Sequence, residues 1–208
     1  TLGSSWAEPG WAELGWADGE LDYALGRTLG ALYSEGLAAA RKSGEASFLQ
    51  RRQRELSEEF LQPALRHLAR CRSLDGVSTS YVEGLIDYYQ QHWDAALLHA
   101  QMARRQAPWA YEALKLAGDV HLARGLSHRD HGDYAASASS LDQALSQYQR
   151  ASELGRSDYQ IYEAMAEIGI RQMELEVLRG RNPREHLALV FSAAERAVEA
   201  DPVAAAGA

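Results

Sequence analysis

The sequence predicts an all-α fold, a two-layer array of antiparallel helix pairs. Three observations predict it. Ala, Leu, Glu, Gln and Arg dominate, the residues that lose least on entering a helix. Apolar residues recur at steps of three and four, as in Ala113, Leu116, Ala117, Val120 and Ala123, or Ile161, Met165, Ile168 and Leu175. Gly, Pro, Asn and Asp punctuate the chain at helix-length intervals, and no β-branched run alternates with polar residues.

Residues 1–19 stand apart. Trp6, Trp11 and Trp16 recur every five residues, which fits neither a helix nor a strand, and Gly10, Gly15 and Gly19 break the segment into turns. Two readings stand: an arm packed onto the helical body, or a short linear motif for a partner. Residues 20–202 read as one helical domain, and 203–208 as a tail. The first helix spans 20–43, with Leu21, Leu25, Leu29, Leu32 and Leu37 as its apolar side and Lys42-Ser43-Gly44 as its end. A second runs over 45–73, with Phe48, Leu49, Leu56, Phe60, Leu61, Leu65 and Leu68 on its face. Pro63 should kink or split it near Gln62. A turn over 74–79 follows.

Three pairs come next: 79–91 with 93–107, 110–130 with 133–154, and 158–179 with 183–200. Ser157 and Gln160 form a candidate capping box, and Asp133 a candidate N-cap. Gly180 ends one helix, Asn182-Pro183 with Glu185 starts the next, and Asp201-Pro202 stops it. Many core positions are alanine, which lets paired helices approach closely.

The stretch Ser80–Pro108 resembles the tetratricopeptide repeat. Gly84 stands at the small position of the first helix, and Trp93-Asp94-Ala95-Ala96 resembles the start of the second. Ala100, Ala103 and Pro108 follow in register, while Ser80 replaces the usual aromatic. Ala117-Gly118 and Gly132-Asp133-Tyr134-Ala135-Ala136 repeat the pattern, and Ala166, Ala194, Ala197, Asp201 and Pro202 carry it into a third unit. The resemblance is best over 80–202. It implies a TPR-like α/α superhelix with lengthened helices, since the units exceed the usual repeat length. Residues 20–73 match weakly and suit a capping pair. The stretch from Tyr111 to His121, with His131-Gly132-Asp133-Tyr134, is similar to the helical-repeat region of some bacterial serine/threonine protein kinases. That narrower resemblance implies a kinase catalytic domain elsewhere in the parent protein. These residues carry no Gly-rich phosphate loop and no HRD or DFG set.

The chain has 208 residues, is 46% hydrophobic and carries a formal charge of −8. Acidity argues against nucleic acid, which wants a basic stripe. The basic clusters Arg51-Arg52, Arg54 and Arg104-Arg105 are short, and Glu55, Glu58 and Glu59 offset the first. Cys71 is the only cysteine, so no internal disulfide forms. It reads as a small buried hydrophobe in a reducing compartment. No run of 18 apolar residues and no basic-then-apolar leader occurs, so neither a membrane contact nor a signal peptide is expected of these residues. A cytoplasmic location is expected. The first residue is Thr1 rather than Met, which leaves room for a larger parent protein.

Function follows from the fold class. Repeat arrays bind partners on the inner face built by the first helix of each pair. Tyr81, Tyr88, Tyr111, Lys115, His121, Arg124 and Tyr162 are the candidate contacts, since Tyr and Arg anchor interfaces. The competing reading of Tyr81, Tyr111 and Tyr162 is that they wedge neighbouring pairs together. His121, His128 and His131 lack a third ligand at firm spacing, and His92 and His99 are equally weak, so no metal or other cofactor is expected. Ser137, Ser139 and Ser140 sit where a repeat helix wants small residues, with no nucleophile elbow, and no enzyme is expected in this chain. The expectation is a protein or peptide recognition module of a larger bacterial signalling protein. The alternatives are a spacer or self-associating domain, with a possible homodimer, and a small-molecule sensor. An apolar patch at a terminal pair would mark self-association, a polar-aromatic inner face a peptide binder, and a closed pocket a sensor.

Overall fold

A computed structural model of the chain describes residues 18–41, 43–71 and 77–201. Residues 1–17 of the tryptophan arm, residues 74–76 of the 74–79 turn, Pro202 and the 203–208 tail lie outside the described residues. The described residues are all-α, with helices paired in sequence. They fall into two compact units that divide between His92 and Trp93. Helices 79–91 and 93–107, read from the sequence as one hairpin, stand on either side of that division.

The first unit holds α1 (Asp18–Arg41), α2 (Ala46–Leu56), a π-helical turn (Ser57–Leu61), α3 (Gln62–Arg70) and α4 (Thr79–Tyr89). Pro63 explains the π turn. Its ring would clash with the carbonyl of Glu59, and it has no N–H to offer that carbonyl. The chain widens just ahead of it: the Gln62 N–H bonds to the Ser57 carbonyl, five residues back. The expected break near Gln62 is thus absorbed as a wide turn, and the run continues through α3.

Helix α1 corrects the reading of its apolar side. Leu25 and Leu32 are 37% and 42% exposed, while the buried positions are Gly26, Gly30, Tyr33, Leu37 and Ala40. These step by four, three, four and three, a helical stripe half made of residues with little or no side chain. The glycines admit neighbours. A Cβ on Gly26 would lie 2.7 Å from Leu68 of α3, one on Gly36 2.7 Å from Leu56 of α2, and one on Gly30 2.2 Å from the Tyr89 ring of α4. The Tyr89 hydroxyl donates to the Arg27 carbonyl at 3.3 Å. Asp22 of α1 meets His67 Nδ1 of α3 at 2.6 Å. Cys71 is buried, with its thiol directed at the Leu68 carbonyl at 3.2 Å, and burial pushes its pKa up.

The second unit holds α5 (Trp93–Gln106), α6 (Glu112–Asp130), α7 (Tyr134–Leu154), α8 (Tyr159–Leu178), a 3₁₀ turn (Pro183–His186) and α9 (Leu187–Ala200). Each helix packs on the next in order. The core joins Leu114 of α6, Leu141, Ala144, Tyr148 and Ala151 of α7, Ile161, Met165, Ile168 and Leu175 of α8, and Ala193 of α9. Gly118 takes the ring of Tyr148, whose hydroxyl donates to Asp119. Gly169 takes Val190 of α9 in the same way. The tight positions of the last pair are therefore Gly169 and Ala193; Ala166 is only half-buried and Ala194 is exposed. The helix phase places the pattern differently from the resemblance there. Ser137 and Ser140 are buried against the neighbouring helices, as expected of small residues.

One feature repeats faithfully. The N–H of Gln91, Gly132 and Gly180 bonds to the carbonyl of Tyr88, Arg129 and Val177, and the next N–H (His92, Asp133, Arg181) to that of Asp87, His128 and Glu176. This is the Schellman motif, closed by a residue in the left-handed region, with φ of 63°, 78° and 70°. It ends α4, α6 and α8 in the same way. The N-caps also follow local chemistry. Asp133 accepts from the Ala136 N–H at 3.1 Å and Asn182 from that of Arg184 at 3.1 Å. The cap of α8 is Asp158, not Ser157, and accepts from the Gln160 N–H at 3.0 Å.

Candidate functional site

The residues singled out from sequence take up several kinds of place. Tyr81 and Tyr162 are buried. Tyr88 is half-buried, its ring centroid 5.4 Å from that of Tyr89. In the second unit, Tyr111 lies over Gly155, where a Cβ would sit 2.7 Å from its ring. Lys115 reaches the start of α8, bonding Gln160 at 2.6 Å and Asp158 at 3.4 Å. Arg124 pairs with Asp94 of α5 at 2.6 Å. Tyr162 donates to the Arg156 carbonyl at 3.3 Å. Tyr111, Lys115 and Arg124 thus tie successive helices together. His121 is half-buried, and its Nδ1 is buried with no hydrogen-bond partner. Burial, then the Arg124 guanidinium, holds it below the usual imidazole range.

A charged strip links α6 to α8. Arg129 meets Glu174 at 3.1 Å, and Arg171 meets Glu174 at 3.0 Å and Glu167 at 3.1 Å. Burial opposes the charge on Arg171, but the two carboxylates overcome it and hold the guanidinium above its ordinary pKa. An open cleft of about 460 Å³ lies at the α7–α8 turn, lined by Ser152, Glu153, Arg156, Tyr162, Arg196 and Glu199. Its mixed charge favours no ligand sign. Among the described residues, no group of three His, Cys, Asp or Glu side chains could hold a metal ion, and no helix is long and apolar enough to cross a membrane.

The α8–α9 pair carries the feature that sequence reading missed. On α8, Ile170 is 44% and Val177 61% exposed, with half-buried Ala166 and Met173 on the same stripe. On α9, Phe191 is 64% and Val198 51% exposed, and Leu187 and Ala194 share their stripe at helical spacing. Both stripes lie off the buried ones, Ile161, Met165, Ile168 and Leu175 on α8 and Leu189, Ala193, Ala197 and Ala200 on α9. The Gly169–Val190 contact marks the seam between the helices. Each buried stripe lies on one side of that seam and each exposed stripe on the other, so the exposed stripes form one apolar face.

Charge is uneven along this face. The turn end carries Arg179, Arg181 and Arg184 against Glu176 and Glu185. At the opposite end, α8 and α9 carry Glu163, Glu195, Glu199 and Asp201 against Arg196. With large side chains presenting on the order of 150–250 Å² each, these exposures leave roughly 400–500 Å² of apolar surface, the size of patch that is often functional. The signal was present in LALVFSAAERAVEA: its apolar arc is wider than one core contact needs. Trp109, 75% exposed after α5, is a second apolar anchor that was not singled out. No family model matches the chain, and no curated protein matches it.

Proposed function

We propose that this chain is a non-catalytic protein-recognition module of the tetratricopeptide kind within a larger signalling protein. It engages an apolar helical face of a protein partner through the outer side of α8 and α9. The exposed stripe of Ile170, Val177, Phe191 and Val198 carries the reading: the pair completes its core on one side and presents a contiguous apolar face on the other, the kind of surface that marks a protein contact. The shared Schellman ends of α4, α6 and α8, and the glycine approaches at Gly118 and Gly169, support the repeat class. A bacterial kinase as parent rests on the resemblance of residues 111–134 alone.

Recognition in this reading differs from the groove binding expected from the sequence. Tyr111, Lys115 and Arg124 are occupied in holding helices together, whereas Phe191 and Val177 have their side chains in water. A photo-crosslinking residue at position 191 or 177 tests it in extracts of the source cells. The expected result is a discrete adduct from both positions that disappears with Ile170→Glu and is absent when the probe replaces Glu153. Folded protein giving no adduct from either position refutes the reading.

A further inference from the structure

We infer that the occupant of the α8–α9 face is a second copy of the same chain, docked antiparallel about a two-fold axis. This rests on the reading of that face as an interaction surface and names its partner. Two observations select a second copy. The first is charge. A two-fold axis across the face that reverses the helix direction brings the turn end, with exposed Arg184 and with Arg181 only loosely held by Glu176 at 3.9 Å, onto the acidic end of the other copy, with exposed Glu163 and Glu195. Each copy supplies both halves of this match, so both rims are satisfied at once. A parallel docking would put the acidic ends together and be repelled.

The second is size. Two such patches bury on the order of 1,000 Å² in total with their rims, the low end of specific interfaces. An isologous contact of that size suits a weak, reversible dimer rather than an obligate one. Phe191 at the middle of its stripe is the anchor, flanked by Ala194, whose small side chain leaves room for the facing copy's aromatic ring.

Sedimentation equilibrium of the purified chain, over about 1 to 300 µM, tests this directly. The expected result is a monomer–dimer equilibrium within that range. Phe191→Glu and Val177→Glu should each weaken it by roughly 100-fold or more, because one substitution is felt twice across a two-fold axis. Leu98→Glu, on the exposed side of α5, should change it by less than about threefold, with circular dichroism confirming that all variants keep their helices. Raising salt from about 50 to 500 mM should weaken the dimer several-fold, since opposite charges meet. A monomer throughout the range overturns the second copy, while an adduct to a different protein in the crosslinking experiment would leave the recognition reading standing. A dimer insensitive to both α8–α9 substitutions overturns the face. A dimer that tightens with salt overturns the antiparallel arrangement.

Discussion

Gln91 is the place where a single substitution should stabilise this protein. It closes the same motif as Gly132 and Gly180 but is not glycine, and its φ of 63° puts a side chain in the left-handed region. That conformation costs a non-glycine residue about 1–2 kcal/mol. Gln91→Gly removes the cost but frees the unfolded chain, which takes back about 0.5–1 kcal/mol. The net expectation is a gain of about 0.5–1 kcal/mol. The reverse test is cleaner. A Cβ on Gly132 or Gly180 would meet nothing within 4 Å, so Gly132→Ala and Gly180→Ala report backbone conformation with no steric part. Each should cost about 1 kcal/mol, or roughly 4 °C in the Tm of the second unit. Urea titration at constant m-value measures all three, with the transitions of the two units fitted separately. A neutral Gly132→Ala, or a Gln91→Gly that destabilises, would refute the argument, because either result means that these residues do not hold the left-handed conformation.

Two further outcomes follow from the cores and the buried imidazole. Gly30→Ala forces a methyl to 2.2 Å from the Tyr89 ring and should cost about 2–3 kcal/mol, as overpacking does; Tyr89→Ala in the same chain should recover part of it, read by the same titration. His121 titrates below the ordinary imidazole in the folded chain, so the unfolded chain takes up its proton first. Its contribution to stability is full above about pH 6.5 and falls as pH drops from there toward the lowered folded value. His121→Gln should therefore lose less stability than the parent chain between pH 7.5 and 5.5, and an equal loss would show that this imidazole is not the group responsible.

The helix order was legible because breakers and caps are local. Gly44, Gly132, Asn182 and Gly180 do in the fold what their chemistry suggests in the sequence. The buried side of α1 was not, because counting leucines weights large side chains, while this helix is buried by Gly26 and Gly30, whose value lies in what the partner brings. The residues singled out for contact and the exposed apolar stripe differ for a related reason. Tyrosines draw attention as interface residues, yet Tyr111 and Tyr162 have packing partners ready within their own unit. Phe191 and Val177 look like core, and only the position of the neighbouring helices tells which of two apolar sides a helix keeps for itself.

The glycines of α1 also bear on when the first unit can form. Four of its 24 residues are glycine, which makes the isolated segment roughly 4 kcal/mol poorer as a helix than alanine at those positions would. Its stabilising contacts come from Leu56, Leu68 and Tyr89, and the last of these is 59 positions downstream of Gly30. During synthesis α1 leaves the ribosome before the residues that stabilise it, so its helix is expected to reach full stability only after α4 has followed.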